Sequence, residues 1–271
     1  MSSGPKRREA VPGFPPRSAR RLRAFGKGKA GKYVRDFDVV AIGGGTAGMT
    51  VARLAKAAGA TVCLVDRQRL GGDCLYTGCV PTKTLVASAK LFHDIKRASS
   101  FGIDITEAKL DYSAVRRRVR AVMCEIGETE SPAVFEQLGI RVKFGEASFL
   151  GPHQLRIGNE TVTADKFVIA TGSRAVVPSI PGLRDSQPLT NVSLLDLEEL
   201  PDSIAIIGSG PIGTEFSQIL CRFGTRVTVI DQAEHILPRE DPEIAGELMK
   251  VLAGEGVQHL CGARISAVRR E

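Results

Sequence analysis

Two cysteines separated by four residues, Cys74 and Cys79 in GGDCLYTGCVPTK (71–83), are the residues whose type and spacing speak most directly of chemistry. Zinc sites use two-to-four-residue spacings and need a second pair of ligands, and no such partner pair follows, the other cysteines, Cys63, Cys124, Cys221 and Cys261, being scattered. No metal site is expected, and the scattered thiols read as small buried hydrophobes. Four intervening residues can close a disulfide loop instead, and in a reducing compartment a closely spaced pair suggests redox chemistry. Cys79 stands directly before a helix that Pro81 is suited to open. The positive end of that helix and the nearby Lys83 favour a thiolate there.

The elements that must position the pair begin with a repeat. The segment DFDVVAIGGGTAGMTVARLAKAAGATVCLVD (36–66) matches SIAIIGSGPIGTEFSQILCRFGTRVTVID (203–231) in kind: apolar strand, Gly-rich turn, amphipathic helix, second apolar strand, terminal Asp. Gly43 to Asp66 and Gly208 to Asp231 are both 23 residues, the spacing of a strand-turn-helix-strand dinucleotide-binding unit. Two such units imply two nucleotides. Gly43 permits the tight turn, Gly45 lets backbone approach a pyrophosphate, and Gly48 lets the helix pack on the strand, while the helix N-terminus offers free N–H groups. Asp66 is placed to accept hydrogen bonds from a ribose. The same roles fall to Gly208, Gly210, Gly213 and Asp231. Asp231 is followed by Gln232, Ala233 and Glu234, with no arginine in reach. An acid there accepts from a free 2′-hydroxyl and repels a 2′-phosphate, so NAD(H) is expected over NADP(H).

Between the copies, residues 81–98 read as a long helix and about 112–137 as another. RVKFGEASFL, HQLRIG, ETVTA and DKFVIATG read as short strands with turns between them. The fold class is α/β: a Rossmann-like domain with a β-rich insertion, then a second Rossmann-like domain that stops early. The polar stretch near 185–202, with Pro188 and Pro201, marks the crossing, giving domains at 36–190 and 191–271.

The chain has 271 residues, 43% of them hydrophobic, enough for a sizeable core. Its net charge of +7 hints at nucleic acid until it is divided along the sequence. Residues 1–35 carry eleven Lys or Arg against one Glu, so the overall +7 less their +10 leaves −3 for the remainder. That leading stretch is rich in Pro and Gly and reads as a disordered tail without a specific role, although it also has the acid-poor character of an organelle transit peptide. No specific nucleic-acid partner is expected. Without an apolar run of about 18 residues or a secretory signal, neither is a membrane, and a cytoplasmic location follows.

GGDCLYTGCVPTK resembles the redox signature of the class I flavoprotein disulfide reductases, the family of glutathione reductase, dihydrolipoamide dehydrogenase and mercuric reductase. The first Gly-rich unit, the IATG at 169–172 and the second unit with its GPIGTE match in order and spacing, so the resemblance covers residues 36–271. It implies that 36–190 binds FAD and 191–271 forms part of an NAD(P)-binding domain. It further implies that hydride reaches the flavin from a nicotinamide and that electrons then pass through Cys79, the sulfur nearest the ring. Cys74 becomes the thiol that exchanges with substrate. Lys83 is implied near the flavin, paired with Glu215 of the second domain. Thr46, Ala47, Gly71, Gly72, Thr171 and Gly172 fall along the FAD, with backbone around Gly145 and Ala147, and Ile212 joins the nicotinamide set.

Substrate is read as mercuric-reductase-like first, dihydrolipoamide second and glutathione disulfide third. A small thiol, disulfide or metal ion is thus the implied partner, with a homodimer as the longer form. Family members are commonly much longer. This chain ends before the later flavin contact and before the interface domain whose His-Glu pair serves the partner subunit, and none of His93, His153, His235 and His259 sits in a matching motif. The chain alone is therefore expected not to turn over substrate, and the competing reading is a noncatalytic flavin-binding remnant.

Overall fold

The structure is a computed structural model that describes residues 35–269. The tail expected at 1–35 lies, apart from Arg35, outside the described residues. Strand β1 (Phe37–Ile42), helix α1 (Thr46–Ala57) and strand β2 (Val62–Asp66) open the chain. FDVVAI and VCLVD are nearly continuous apolar runs, the pattern of strands covered on both faces. A short helix α2 (Gly72–Tyr76) and a long helix α3 (Cys79–Lys96) follow. The helix expected at 112–137 is two: α4 (Tyr112–Thr129), capped by the Asp111 carboxylate accepting from Ala114 N–H, and α5 (Pro132–Gln137). Pro132 has no N–H to continue the first helix, so the chain restarts there.

Then come β3 (Arg141–Phe144), β4 (Ala147–Gly151), β5 (Gln154–Ile157) and β6 (Glu160–Ile169). RVKFGEASFL is thus two strands, broken at Gly145, whereas ETVTA and DKFVI form one strand of ten residues. Its length has a reason. The first half of β6 pairs antiparallel with β5, and the second half pairs parallel with β1, Phe37 opposite Ala164 and Ile42 opposite Ile169. One strand therefore sews the β-rich insertion to the parallel layer, in the order β3-β2-β1-β6-β5-β4.

Short helix α6 (Asn191–Leu194) leads to β7 (Ser203–Ile207), α7 (Pro211–Phe223), β8 (Arg226–Ile230), α8 (Pro242–Glu255) and β9 (Gln258–Leu260). The last three strands form a parallel sheet in the order β7-β8-β9. The architecture is that of two Rossmann-like α/β layers.

Side chains alternate across the first sheet, so its two faces build separate cores. Val39, Ala41, Val62 and Leu64 pack with Met49, Ala52 and Phe135 on one side, while Val40, Ile42, Cys63 and Val65 pack with Leu155 and Val162 on the other. A third core belongs to neither sheet alone. Leu85 and Ala89 of α3 and Val119 of α4 join Phe216, Ile219 and Leu220 of α7, Val227 and Val229 of β8, and Leu252 of α8.

Candidate active site

Cys74 lies in α2, and Cys79 is the first residue of α3 rather than a residue ahead of it. Pro81 is its third residue, still within the first turn, where its missing N–H costs nothing. Both cysteines are free thiols, Cys74 half-buried and Cys79 exposed. The neighbouring Cys79 side chain holds the Cys74 thiol above its ordinary value; partial burial adds to this, and the Thr46 side chain opposes it. A thiol so held needs help to lose its proton. Cys63, within β2, is fully buried, and burial pushes its thiol up to about 11.

The redox segment sits directly on the first Gly-rich turn. Gly72, with φ of 59°, comes so close that an added Cβ would lie 2.6 Å from Gly45 Cα. No side chain fits between α1 and α2 there. Thr46 and Ala47, exposed at the start of α1, are thereby next to the cysteine segment, and Gly45 leaves the N-terminus of α1 without a side-chain cap. Gly71 is buried behind them.

A cleft of about 620 Å³ runs from this turn, and Gly43, Asp66, Gly72, Gly145, Ala147 and Thr171 all line it. Gly172 lies at its edge, 3.9 Å from Asp73 by the position a Cβ would take. The volume falls within the range of cofactor sites. Uncapped N–H groups at the N-terminus of α1 and the close-packed glycines provide what a dinucleotide pyrophosphate requires, so the residues present fit that group. Asp66 is more committed than its sequence implies: it accepts from Gly44 N–H at 2.7 Å and from the N–H groups of Gln68 and Arg69. Its carboxylate holds the turn closed while keeping a face to the cleft. Sequence reasoning missed Arg67, Arg69, Tyr76 and Arg174 on the same walls. The Arg69 guanidinium lies 3.5 Å from the centre of the Tyr76 ring, and the adjacency of Arg67 to Asp66 was the available signal.

The second unit repeats the arrangement. Asp231 accepts from Ser209 N–H at 2.6 Å, from Ser209 Oγ–H at 2.7 Å and from Ala233 N–H at 2.9 Å. Burial pushes its carboxyl up, but these donors pull it further down, for a net lowering. Gly213 packs on Gly208 as Gly48 packs on Gly43, each leaving no room for a Cβ beneath the turn carbonyl. A cavity of about 550 Å³ opens beside Gly208, Asp231 and Gln232. Gly210 and Ile212 instead line an apolar groove of about 650 Å³ beside β7, shared with Gly208 and Gly213. The expectation of no arginine within reach of Asp231 is corrected by the fold. Arg264 lines the Asp231 cavity, because the parallel sheet lays the segment after β9 alongside the end of β8.

Between the two units, Lys83 Nζ of α3 forms an ion pair with Glu215 of α7, the lysine largely exposed and the glutamate mostly covered. Asn191 Nδ2, which sequence reasoning did not single out, donates to Thr77 O at 3.1 Å and ties α6 to the loop between the two cysteines. Among the described residues, no group of three or more His, Cys, Asp or Glu is gathered as a metal site. No helix among them is long and apolar enough to cross a membrane.

Residues 37–271 match the family model described as pyridine nucleotide-disulphide oxidoreductase. The chain belongs to that family. It is 31% identical over 236 residues to a mercuric reductase of Bacillus cereus, covering 87% of this chain and 37% of the relative. A dihydrolipoyl dehydrogenase of Acholeplasma laidlawii is 33% identical over 240 residues, covering 86% and 71%. Among solved structures, the Cu(II) complex of the HOCl-induced flavoprotein disulfide reductase RclA from Escherichia coli matches with a TM-score of 0.72 at 31% identity, covering 88% of this chain and 52% of that one. The chain thus spans about a third to seven-tenths of the length of these relatives. Pyridine nucleotide-disulphide oxidoreductases work with FAD and a nicotinamide.

Proposed function

We propose that the chain holds FAD in the cleft of residues 36–190 and NAD(H), in preference to NADP(H), at residues 191–271, and that it serves to pass electrons from the nicotinamide to the Cys74 and Cys79 pair and on to a small substrate. The observation that carries this reading is the seating of the cysteine segment on the first dinucleotide turn, Gly72 against Gly45. FAD, when bound, supplies a two-electron relay between a nicotinamide and a thiol pair. Cys79, the exposed member at the start of α3, is the sulfur assigned to face the ring. Cys74, whose proton is held, exchanges with substrate and requires a base for which no histidine stands in this segment. Lys83 and Glu215 couple the two units.

For substrate, a mercuric-reductase-like metal ion comes first, supported by the B. cereus relative and by a structural relative solved with Cu(II). Dihydrolipoamide stands second, at similar identity. A homodimer in the cytoplasm completes the reading. The rival, a flavin-binding chain without turnover, is separated by following NADH oxidation with mercuric ion, lipoamide and glutathione disulfide as acceptors.

The roles of the cysteines are tested in flavin-loaded protein. Two-electron reduction should bring a long-wavelength band from a thiolate against the flavin. Cys74→Ser should show that band before any reduction, and Cys79→Ser should never show it. Identical behaviour of the two variants would refute the assignment, and failure of every form to retain flavin would refute the reading of the cleft.

A further inference from the structure

The cavity beside Asp231 is closed by a strap whose two ends are both fastened. At one end, Asp231 N–H donates to Leu260 O, Ala263 N–H to Asp231 O and Gly262 N–H to Ala233 O, at 2.8 to 3.1 Å. At the other, Val268 N–H donates to Pro181 O at 2.8 Å, and Gly182 comes so near that a Cβ there would lie 2.0 Å from Val268 O. Residues 264–266 therefore bridge from the end of β8 to the 178–181 loop, and all three line the cavity. Arg264 is the residue next to the one bonded to the Asp231 backbone. Main-chain pairing thus sets its backbone beside Asp231.

Asp231 and Arg264, residues of opposite charge, thus line one cavity together with Ser179 and Ser266. Asp231 suits a ribose with free hydroxyls and opposes a phosphate on them. A guanidinium does the reverse, because its planar donors match phosphate oxygens two at a time. Resting on the reading of the second unit as the nicotinamide site, we propose that Arg264 is a specificity-determining residue that admits a 2′-phosphorylated ribose beside Asp231. The preference for NADH set by Asp231 then remains but is narrowed by Arg264.

The test uses the 271-residue chain and equilibrium titration with NADH, NADPH and, as probes of the ribose end alone, 5′-AMP and adenosine 2′,5′-bisphosphate. Arg264→Ala should weaken NADPH and the bisphosphate about tenfold, the loss of one charge-assisted contact, while NADH and 5′-AMP change less than about twofold. Arg264→Lys keeps the charge without the fork and should fall between. Equal weakening of all four ligands would place Arg264 on a shared part of the nucleotide and overturn the proposal, as would no change in any. Absence of binding of every ligand to the unaltered chain would instead overturn the nicotinamide reading, and this inference with it.

Discussion

Gly43 and Gly208 hold the same place in two copies of one unit, each at the end of a first strand with a positive φ, 114° and 105°. Their surroundings differ completely. A Cβ on Gly43 would lie 2.0 Å from Ala170 O, whereas a Cβ on Gly208 would meet nothing within 4 Å. The cause is the sheet. β1 has β2 on one side and β6 on the other, and β6 runs straight into Ala170 and Thr171 beside the turn. β7 is an edge strand among the described residues, with Ile207 and Ala205 exposed. The same local sequence pattern is thus enclosed in one copy and open in the other. What a Gly-rich turn tolerates is decided by its neighbour across the sheet.

The largest effect that follows is on the turns themselves. Gly43→Ala must displace the Ala170 backbone as well as accept an unfavourable φ, so we expect a loss of about 5 kcal/mol or more, in the range reserved for disrupted cores. Such a loss is comparable with the whole stability of a domain, and flavin retention should go with it. Gly208→Ala carries only the backbone strain, about 1 to 3 kcal/mol. Urea denaturation of both variants decides the matter. Similar losses would mean that the strand beside Gly43 does not set the difference.

The same contrast extends to the cores. Phe135 is fully buried against the first sheet alone, while Phe216 belongs to the core shared by α3, α4, α7 and α8. Truncating either to Ala should cost about 3 to 5 kcal/mol, but the losses should appear in different places. Hydrogen exchange in Phe135→Ala should rise in β1, β2 and α5. In Phe216→Ala it should rise in α3 and α7 together, although these helices are far apart in sequence. Exchange confined to α7 would show that the second unit folds on a core of its own.

Much of this was legible in the sequence where the signal is local. The Gly-rich turns, their 23-residue spans and the Cys74 and Cys79 spacing each lie within one supersecondary unit, and the α/β architecture follows from them. Pro132 was equally legible as a helix break, yet helical periodicity on both sides of it masked the interruption at Ser131. The contacts that come from sheet order were not legible. Arg264 reaches the Asp231 cavity only because β9 lies next to β8, and Asn191 reaches Thr77 across 114 residues. Lys83 and Glu215, 132 residues apart, read as ordinary surface charges until the family resemblance joined them.

That ion pair gives the smallest expected effect. Lys83 and Glu215 connect the enclosed unit to the open one, and it is tempting to regard them as what holds the two together. The lysine side chain is 67% exposed and the glutamate 26%, so water and salt screen the attraction and the lysine gives up rotamer freedom to make it. The shared core opposes that view, since Leu85, Ala89, Phe216, Ile219 and Leu220 are all nearly inaccessible to solvent at the same α3 and α7 contact, and burying each of the Leu, Ile and Phe side chains is worth about 1.5 to 3 kcal/mol. A double-mutant cycle with Lys83→Met and Glu215→Gln should therefore give a coupling below about 1 kcal/mol in 0.15 M salt, smaller still at 1 M. Both single variants should remain folded with α3 and α7 protected from exchange. A coupling above about 2 kcal/mol, insensitive to salt, would mean that the two units are joined by charge rather than by apolar packing, and would remove the basis for expecting α3 and α7 to open as one.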